Sequence, residues 1–381
     1  MADRSAIEWT DASWTPVRAR NLITGKVGWH CEHATTGCEH CYSEGFNKRL
    51  GTGLPFKPGH RKDIEIFLDE QMLTQPLRWK KPRKIFVCSM TDAFADFVTD
   101  EMLDRMFAVM AMSPQHTFQV LTKRAKRMRR YLTNADQNEA ASVGIRSPGF
   151  TVNQRVQALV ADYMKLGKFR VNGFGPLYKE DWERAKPNLR PLPLQNVWLG
   201  VSAERQPEAD ERVPELQATP AAVRFVSLEP LLGHISLHAL NLATPTPSDA
   251  LRGVQCVPDG SLEGHHNEQI AKLDWVIVGG ESGRDARPMH PDWPRSLRDW
   301  CQACDVAYFF KQWGEWAPST PEEARGNPHS GWQANAAHPH VAKASALYPE
   351  AGAKFIARVG KKAAGRLLDG VEHNEFPRVP A

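Results

Sequence analysis

Six short apolar runs limit what this chain can fold into. Each is rich in β-branched or aromatic residues, and each closes in a polar or glycine-bearing turn. They read KIFVCSMTD (84–92), TFQVLTKR (117–124), NVWLGVSAE (196–204), VRFVSLEP (223–230), DWVIVGGESG (274–283) and AYFFKQWGE (307–315). Their apolar character is nearly continuous rather than alternating, which suits strands buried on both faces of a parallel sheet. Helical patterns lie between several of them, at 99–112, 124–132, 209–217 and 292–304. Strand followed by helix, repeated, builds βα units around a parallel sheet or barrel. With a short strand before residue 30, the expected fold is α/β: a partial (β/α)6-7 parallel barrel of TIM-like type.

The barrel is expected over residues 1–316, broken by two polar insertions at 133–195 and 234–272. The first contains one amphipathic helical pattern, NQRVQALVADYMKLG. Residues 317–381 turn to Gly, Ala, His and Pro, and are expected to pack on the barrel as an extension. The N-terminal MADRSAIEWTDASW is too polar for a secretory leader, and no apolar run is long enough to span a bilayer. A cytoplasmic protein with no membrane contact is therefore expected. The seven cysteines are not spaced as a disulfide framework, which agrees with a reducing compartment. The charge balance of 48 Lys and Arg against 44 Asp and Glu permits nucleic-acid contact without requiring it.

Polar residues follow every predicted strand: Ser89, Thr91 and Asp92; Thr122, Lys123 and Arg124; Ser202 and Glu204; Glu229; Glu281 and Ser282; Lys311 and Gln312. In a parallel barrel these would crown the C-terminal rim, where active sites of such folds collect. The plainer reading is that polar residues end strands anyway. The segment KRAKRMRRYL (123–132) carries six cations, with Ala125, Met128 and Leu132 spaced as its buried stripe. It reads as a solvated face or as a phosphate contact. Phe309, Phe310, Trp313 and Trp316 read as core or as a stacking platform for bases.

The stretch HCEHATTGCEHCYSEGF (30–46) holds Cys31, Cys38 and Cys41, spaced C-x6-C-x2-C, with His33 and His40 among them. Structural zinc wants four ligands, and either histidine or the later Cys301-x-x-Cys304 would have to complete the set. A dithiol switch would want C-x-x-C at the start of a helix in a thioredoxin-like unit, which the sequence lacks. Cys301 and Cys304, three apart in a helical pattern, read as half-buried small hydrophobes. Three thiolates on one loop have another use: they can hold three irons of a [4Fe–4S] cluster and leave the fourth open to a cofactor. Tyr42, directly after the last cysteine, could then pack on that cofactor.

A three-cysteine loop after the first strand of a partial barrel resembles the radical S-adenosylmethionine superfamily, although the usual spacing there is C-x3-C-x2-C. The resemblance implies one [4Fe–4S] cluster on Cys31, Cys38 and Cys41, S-adenosylmethionine on the open iron, and reduction by an external electron donor to give a 5′-deoxyadenosyl radical. It also implies cofactor-binding roles on the rim. Ser89, Thr91 and Asp92 would meet the methionine amine, and Lys123 or Arg124 its carboxylate. Ser202 and Glu204 would meet the ribose, while Glu229 and Glu281 would face cofactor or substrate. The glycines of GGESG (279–283) would let backbone approach a ligand closely. Across IEWTDASWTPV, GCEHCYSEGF, IFVCSMTDAF, QHTFQVLTKR, VWLGVSAERQ, FVSLEPLLG, WVIVGGESG, RPMHPDWPRSLRDWC, FFKQWGEW and AGRLLDGVEHNEFP, the chain resembles a phage-associated three-cysteine-motif family of unassigned function. That implies a phage or prophage setting and a partner protein encoded nearby. The expected substrate is a nucleobase or nucleic acid. The rival expectation is a zinc-stabilised, non-catalytic nucleic-acid-binding or phage accessory protein.

Overall fold

A computed structural model of the chain describes residues 5–133, 152–165, 192–258, 265–333, 341–343 and 352–378. Seven strands form the main sheet: β1 (Ala12–Trp14), β2 (Lys84–Val87), β3 (Thr117–Thr122), β4 (Val197–Ser202), β5 (Val223–Leu228), β6 (Trp275–Gly279) and β7 (Ala307–Gln312). They lie in the sheet in the order they have in sequence. The pairs β1–β2, β2–β3, β5–β6 and β6–β7 are parallel. Sequential parallel order is that of a singly wound partial barrel, so the expected α/β class holds. β4 and β6 are buried at every position, which explains their unbroken apolar sequences.

The principal helices are α1 (Tyr42–Leu50), α2 (Asp100–Ala111), α3 (Ala125–Thr133), α4 (Val152–Lys165), α5 (Gln206–Gln217) and α6 (Asp292–Ala303). The start of α2 shows why one forms where it does. The Thr99 hydroxyl accepts from the Met102 N–H at 3.3 Å, and Asp100 and Glu101 offset the positive end of the helix dipole. Among the described residues no helix is long and apolar enough to cross a membrane.

The chain divides into two compact units, and the division falls inside β4. The first comprises Met1–His33, Ser43–Gly200 and Thr219–Ala222. Besides β1–β3 it holds an antiparallel sheet of Val17–Asn21, Val27–Gly28 and Ile64–Leu68. Trp14 packs edge-on against Phe118, with centroids 5.6 Å apart. On α3 the buried stripe is Ala125, Met128 and Tyr131, so Tyr131 takes the place expected for Leu132. The reason is a partner for its polar tip: the Tyr131 ring packs by Phe107, and its hydroxyl donates to Asp104 at 2.8 Å. Most of the first insertion lies outside the described residues, apart from α4, where the amphipathic pattern was expected.

The second unit comprises Ala34–Tyr42, Val201–Ala218 and Val223–Ala381. The insertion at 234–272 carries a small antiparallel sheet of Ser248–Asp249, Val254–Pro258 and His265–Gln269. After β7 the strands Trp316–Pro318, Ser330–Gln333, Val341–Lys343 and Lys354–Arg358 form a second one. The last residues lie along β7, where Phe310 N–H donates to His373 O at 2.9 Å and the Trp313 indole to Leu367 O at 2.9 Å. Phe309, Phe310 and Trp313 are buried there, so they are core and not a stacking platform. The Trp316 indole is tied to Ala286 O at 2.8 Å.

Candidate cysteine-loop site

The division of the chain also divides the cysteine loop, with Cys31 in the first unit and Cys38 and Cys41 in the second. In the first unit, a turn after β2 begins at Cys88, whose φ of 58° is left-handed backbone that a non-glycine residue seldom adopts. Cys88 N–H donates to Trp14 O at 2.8 Å and Thr91 N–H to Cys88 O at 3.0 Å, so the turn is held at both ends. It carries Ser89, Thr91 and Asp92. The Thr91 hydroxyl donates to His30 O at 2.5 Å, and Ser89 O accepts from the Ser43 hydroxyl at 3.0 Å.

Asp92 organises the end of β3. It accepts from the Thr122 hydroxyl at 2.6 Å, Lys123 N–H at 3.0 Å, Phe94 N–H at 2.9 Å and the Arg124 guanidinium at 3.1 Å. Arg124 in turn donates to Glu32 O at 2.6 Å. The carbonyls on either side of Cys31 are therefore held by side chains from the ends of β2 and β3. The neighbouring His30 is buried, and burial lowers its pKa and keeps it neutral. Burial, with the nearby Asp92 and Cys31, pushes the Cys88 thiol up, so it stays protonated and inert.

In the second unit, Thr36–Cys38 forms a short 3-10 turn, with Cys38 N–H donating to Thr35 O at 2.9 Å and Cys41 N–H to Cys38 O at 3.2 Å. Glu204, just after β4, is fully buried. It accepts from the Thr35 hydroxyl and from Arg212, whose guanidinium is 3.2 Å away and also donates to Ser202 O at 2.6 Å. A Cβ on Gly37 would strike the Glu204 carboxylate, so only glycine lets the loop lie this close.

Glu281, after β6, is clamped by Arg287 at 2.8 and 2.7 Å and paired with His40 at 3.3 Å. Arg287 continues to Thr36 O at 3.0 Å and to Glu39 at 2.9 Å. Burial pushes the Glu281 carboxyl up. Its bonds to Arg287 outweigh that and hold it below the ordinary carboxylate range. Glu229 instead pairs with Lys311 at 2.9 Å and accepts from the Ser227 hydroxyl at 3.1 Å. Tyr42 opens α1 and is half-exposed.

Gly280 follows β6 and Gly314 follows β7. A Cβ on Gly280 would collide with Trp313 O, and one on Gly314, with φ of 85°, would collide with Glu281 O. At these positions two backbones at the ends of β6 and β7 pass in contact.

The family described as "Protein of unknown function (DUF5131)" matches residues 4–377. The chain belongs to the DUF5131 family. No curated protein and no solved structure matches it.

For this DUF5131 chain the donor set around the loop is specific. No cysteine is in a disulfide, and Cys31, Cys38 and Cys41 are partly exposed while Cys88 and Cys301 are buried. Cys301 lies inside α6 and Cys304 caps it, as their spacing suggested. Burial pushes the thiol of Cys301 up and makes it a poor ligand. Among the described residues no group of three or more His, Cys, Asp and Glu is set to hold a metal ion. His33 and His40, the nitrogen ligands a zinc site would draw on, are paired with Glu44 at 2.6 Å and Glu281 at 3.3 Å. A [4Fe–4S] cube makes a different demand, one thiolate on each of several irons, and soft, accessible thiols fit it.

Several residues that matter here were not singled out from sequence: His30, Thr35, Gly37, Arg212 and Arg287. Gly37 alone gave a signal, as a glycine amid a thiol cluster. Arg212 and Arg287 lie only eight and six residues after Glu204 and Glu281, but no spacing in the sequence marks such a pair.

Proposed function

We propose that the chain is a radical S-adenosylmethionine enzyme in which Cys31, Cys38 and Cys41 hold one [4Fe–4S] cluster. The observation that carries this reading is the set of three partly exposed cysteines, none in a disulfide, on a loop whose backbone is tied down by polar residues from parallel strand ends. The sequential parallel sheet supports it, since such folds gather their chemistry at that end of the strands. When bound, the cluster would supply the electron for reductive cleavage of S-adenosylmethionine, with hydrogen abstraction from a substrate C–H bond following.

The protein's own part is positional. Thr91 and Arg124 fix the carbonyls beside Cys31. Arg287 fixes Thr36 O, and Glu204 fixes Thr35 and the close approach of Gly37. These bonds recast the expected roles of Asp92, Glu204 and Glu281 as tethers of the loop or supports of a tether. Glu229 and Lys311 are the strand-end pair engaged with each other, which makes them the better candidates for groups that face cofactor or substrate. A nucleobase or nucleic-acid substrate is proposed from the cation-rich α3, and reduction from an external electron donor.

Anaerobic purification and reconstitution test the reading. The expected product is a brown protein with about four iron and four sulfide per chain, which releases 5′-deoxyadenosine from S-adenosylmethionine on reduction. A colourless protein holding zinc and no iron would overturn it. Cys31→Ala should abolish the cluster and Cys301→Ala should leave it intact.

A further inference from the structure

Helix α1 is built inside out. Its buried residues are Ser43, Glu44 and Asn47, while Tyr42, Phe46 and Leu50, spaced four apart on one face, stand in solvent at 54%, 43% and 67% exposure. An ordinary surface helix buries its apolar stripe and wets its polar one. Here the apolar face is the more exposed one, although the Arg49 guanidinium lies over the Phe46 ring at 5.2 Å.

The same unit carries a second exposed apolar group next to this helix in the hydrogen-bond network. In the turn after Val17–Asn21, Leu22 and Ile23 are 60% and 88% exposed, and Val27 across the hairpin is 38% exposed. Three buried polar residues lock hairpin and helix together. Asn47 Oδ1 accepts from Trp29 N–H at 2.9 Å and Thr52 N–H at 3.1 Å, and Asn21 Nδ2 donates to Thr52 O at 3.0 Å. Gly28 lies against Gly51 and Thr52 with no room for a Cβ. The exposed apolar residues therefore sit on a rigid platform and not on a loose loop.

The charge of this platform is one-sided. Segments 17–28, 42–50 and 57–68 hold eight Lys and Arg against three Asp and Glu, in a chain whose whole formal charge is only +4. All three acids are already engaged: Glu44 with Lys48 at 2.5 Å, Asp63 with His60 at 3.0 Å and Glu65 with Arg20 at 2.5 Å. Leu22 N–H donates to Asp63 O at 3.0 Å, which ties the basic segment 57–63 to the apolar turn.

We infer that Phe46, Leu50, Leu22, Ile23 and Val27 form a docking surface for a protein whose own contact patch is apolar at the centre and acidic at its edge. An apolar centre within a charged rim is the anatomy of protein–protein interfaces, and a net cationic rim selects and steers an acidic partner. Nucleic acid is the poorer fit, because bases dock on aromatic faces and four of the five side chains are aliphatic. The inference stands apart from the cluster reading, since none of these residues is a thiol or a loop tether.

The test places a photo-crosslinking amino acid at position 46 of the full chain in its native host. The crosslinked protein is identified by mass spectrometry, produced pure, and titrated against wild type and against the triple variant Ile23→Ser, Phe46→Ala, Leu50→Ser. The expected result is an acidic protein whose binding falls by at least about tenfold in the variant, as loss of central interface residues should cause. Raising the salt should weaken it further. Because all three side chains are exposed, the variant should keep the wild-type melting curve and iron content. The inference is overturned if no protein crosslinks, or if the purified protein binds the variant as well as wild type. It is equally overturned if the substitutions abolish binding to a DNA duplex, to anionic phosphatidylglycerol vesicles or between copies of this chain instead.

Discussion

The two units hold their parts of the cysteine loop by different chemistry. In the first, neutral and cationic donors grip backbone carbonyls, and the carboxylate of Asp92 stands one step back, orienting Arg124. In the second, carboxylates reach the loop themselves: Glu204 at Thr35 and Glu281 at His40. The first arrangement survives loss of one negative charge with the loop-facing donors still present. The second places buried anions directly at the contact, where removing Glu204 leaves the Arg212 guanidinium without its carboxylate, whereas Arg287 keeps Glu39 if Glu281 is lost.

The sharpest way to break this contrast is Glu204→Ala. Arg212, whose side chain is 4% exposed, would be left an unpaired buried cation, and a loss of about 3–5 kcal/mol is expected in chemical denaturation. Replacing both partners, Glu204→Leu with Arg212→Met, should cost clearly less. If the single and double variants are equally unstable, the pair is not what holds this part of the fold. Asp92→Asn tests the first unit and should cost less, about 1–3 kcal/mol, because several of its donors can still be satisfied by an amide oxygen. Gly37→Ala should destabilise by a similar amount, about 1–3 kcal/mol, by driving a methyl group into Glu204.

A pH titration separates the units further. The folded-state pKa of Glu281 is depressed, so its contribution is full above the ordinary carboxylate range and is lost as pH falls through the lowered value. The stability gap between wild type and Glu281→Gln should therefore be largest near neutrality and close in acid. A gap that widens in acid would contradict the clamp. The smallest effect belongs to Phe46→Ala, expected within about 0.5 kcal/mol because the ring is already wet.

These outcomes bear on how much the sequence could say. The seven strands of the main sheet and α2–α6 were legible, because unbroken apolar runs and 3.6-residue periods are local signals; α1, whose buried side is polar, was not. Asp92, Glu204 and Glu281 were legible as strand-end polar residues near the thiols. Their use as tethers was not, since it depends on residues 30–40 of the loop being met by strand ends far from them in sequence. The exchange of Leu132 for Tyr131 has the same origin. Periodicity allows either residue, and the choice was made by Asp104, which offers the phenol a partner. The place where the units divide, inside β4, leaves no local mark at all.

The contact between Gly280 and Gly314 bears on how the site can be altered. Their backbones leave no space for any side chain, so these two positions cannot drift without displacing Glu281 and the end of β7 together. Glu229 and Lys311 stand beside that fixed point but depend on side-chain contacts alone. A library meant to change what the site accepts should randomise 229 and 311 and leave 280 and 314 untouched. Selectivity could then be explored while the frame that carries it stays constant.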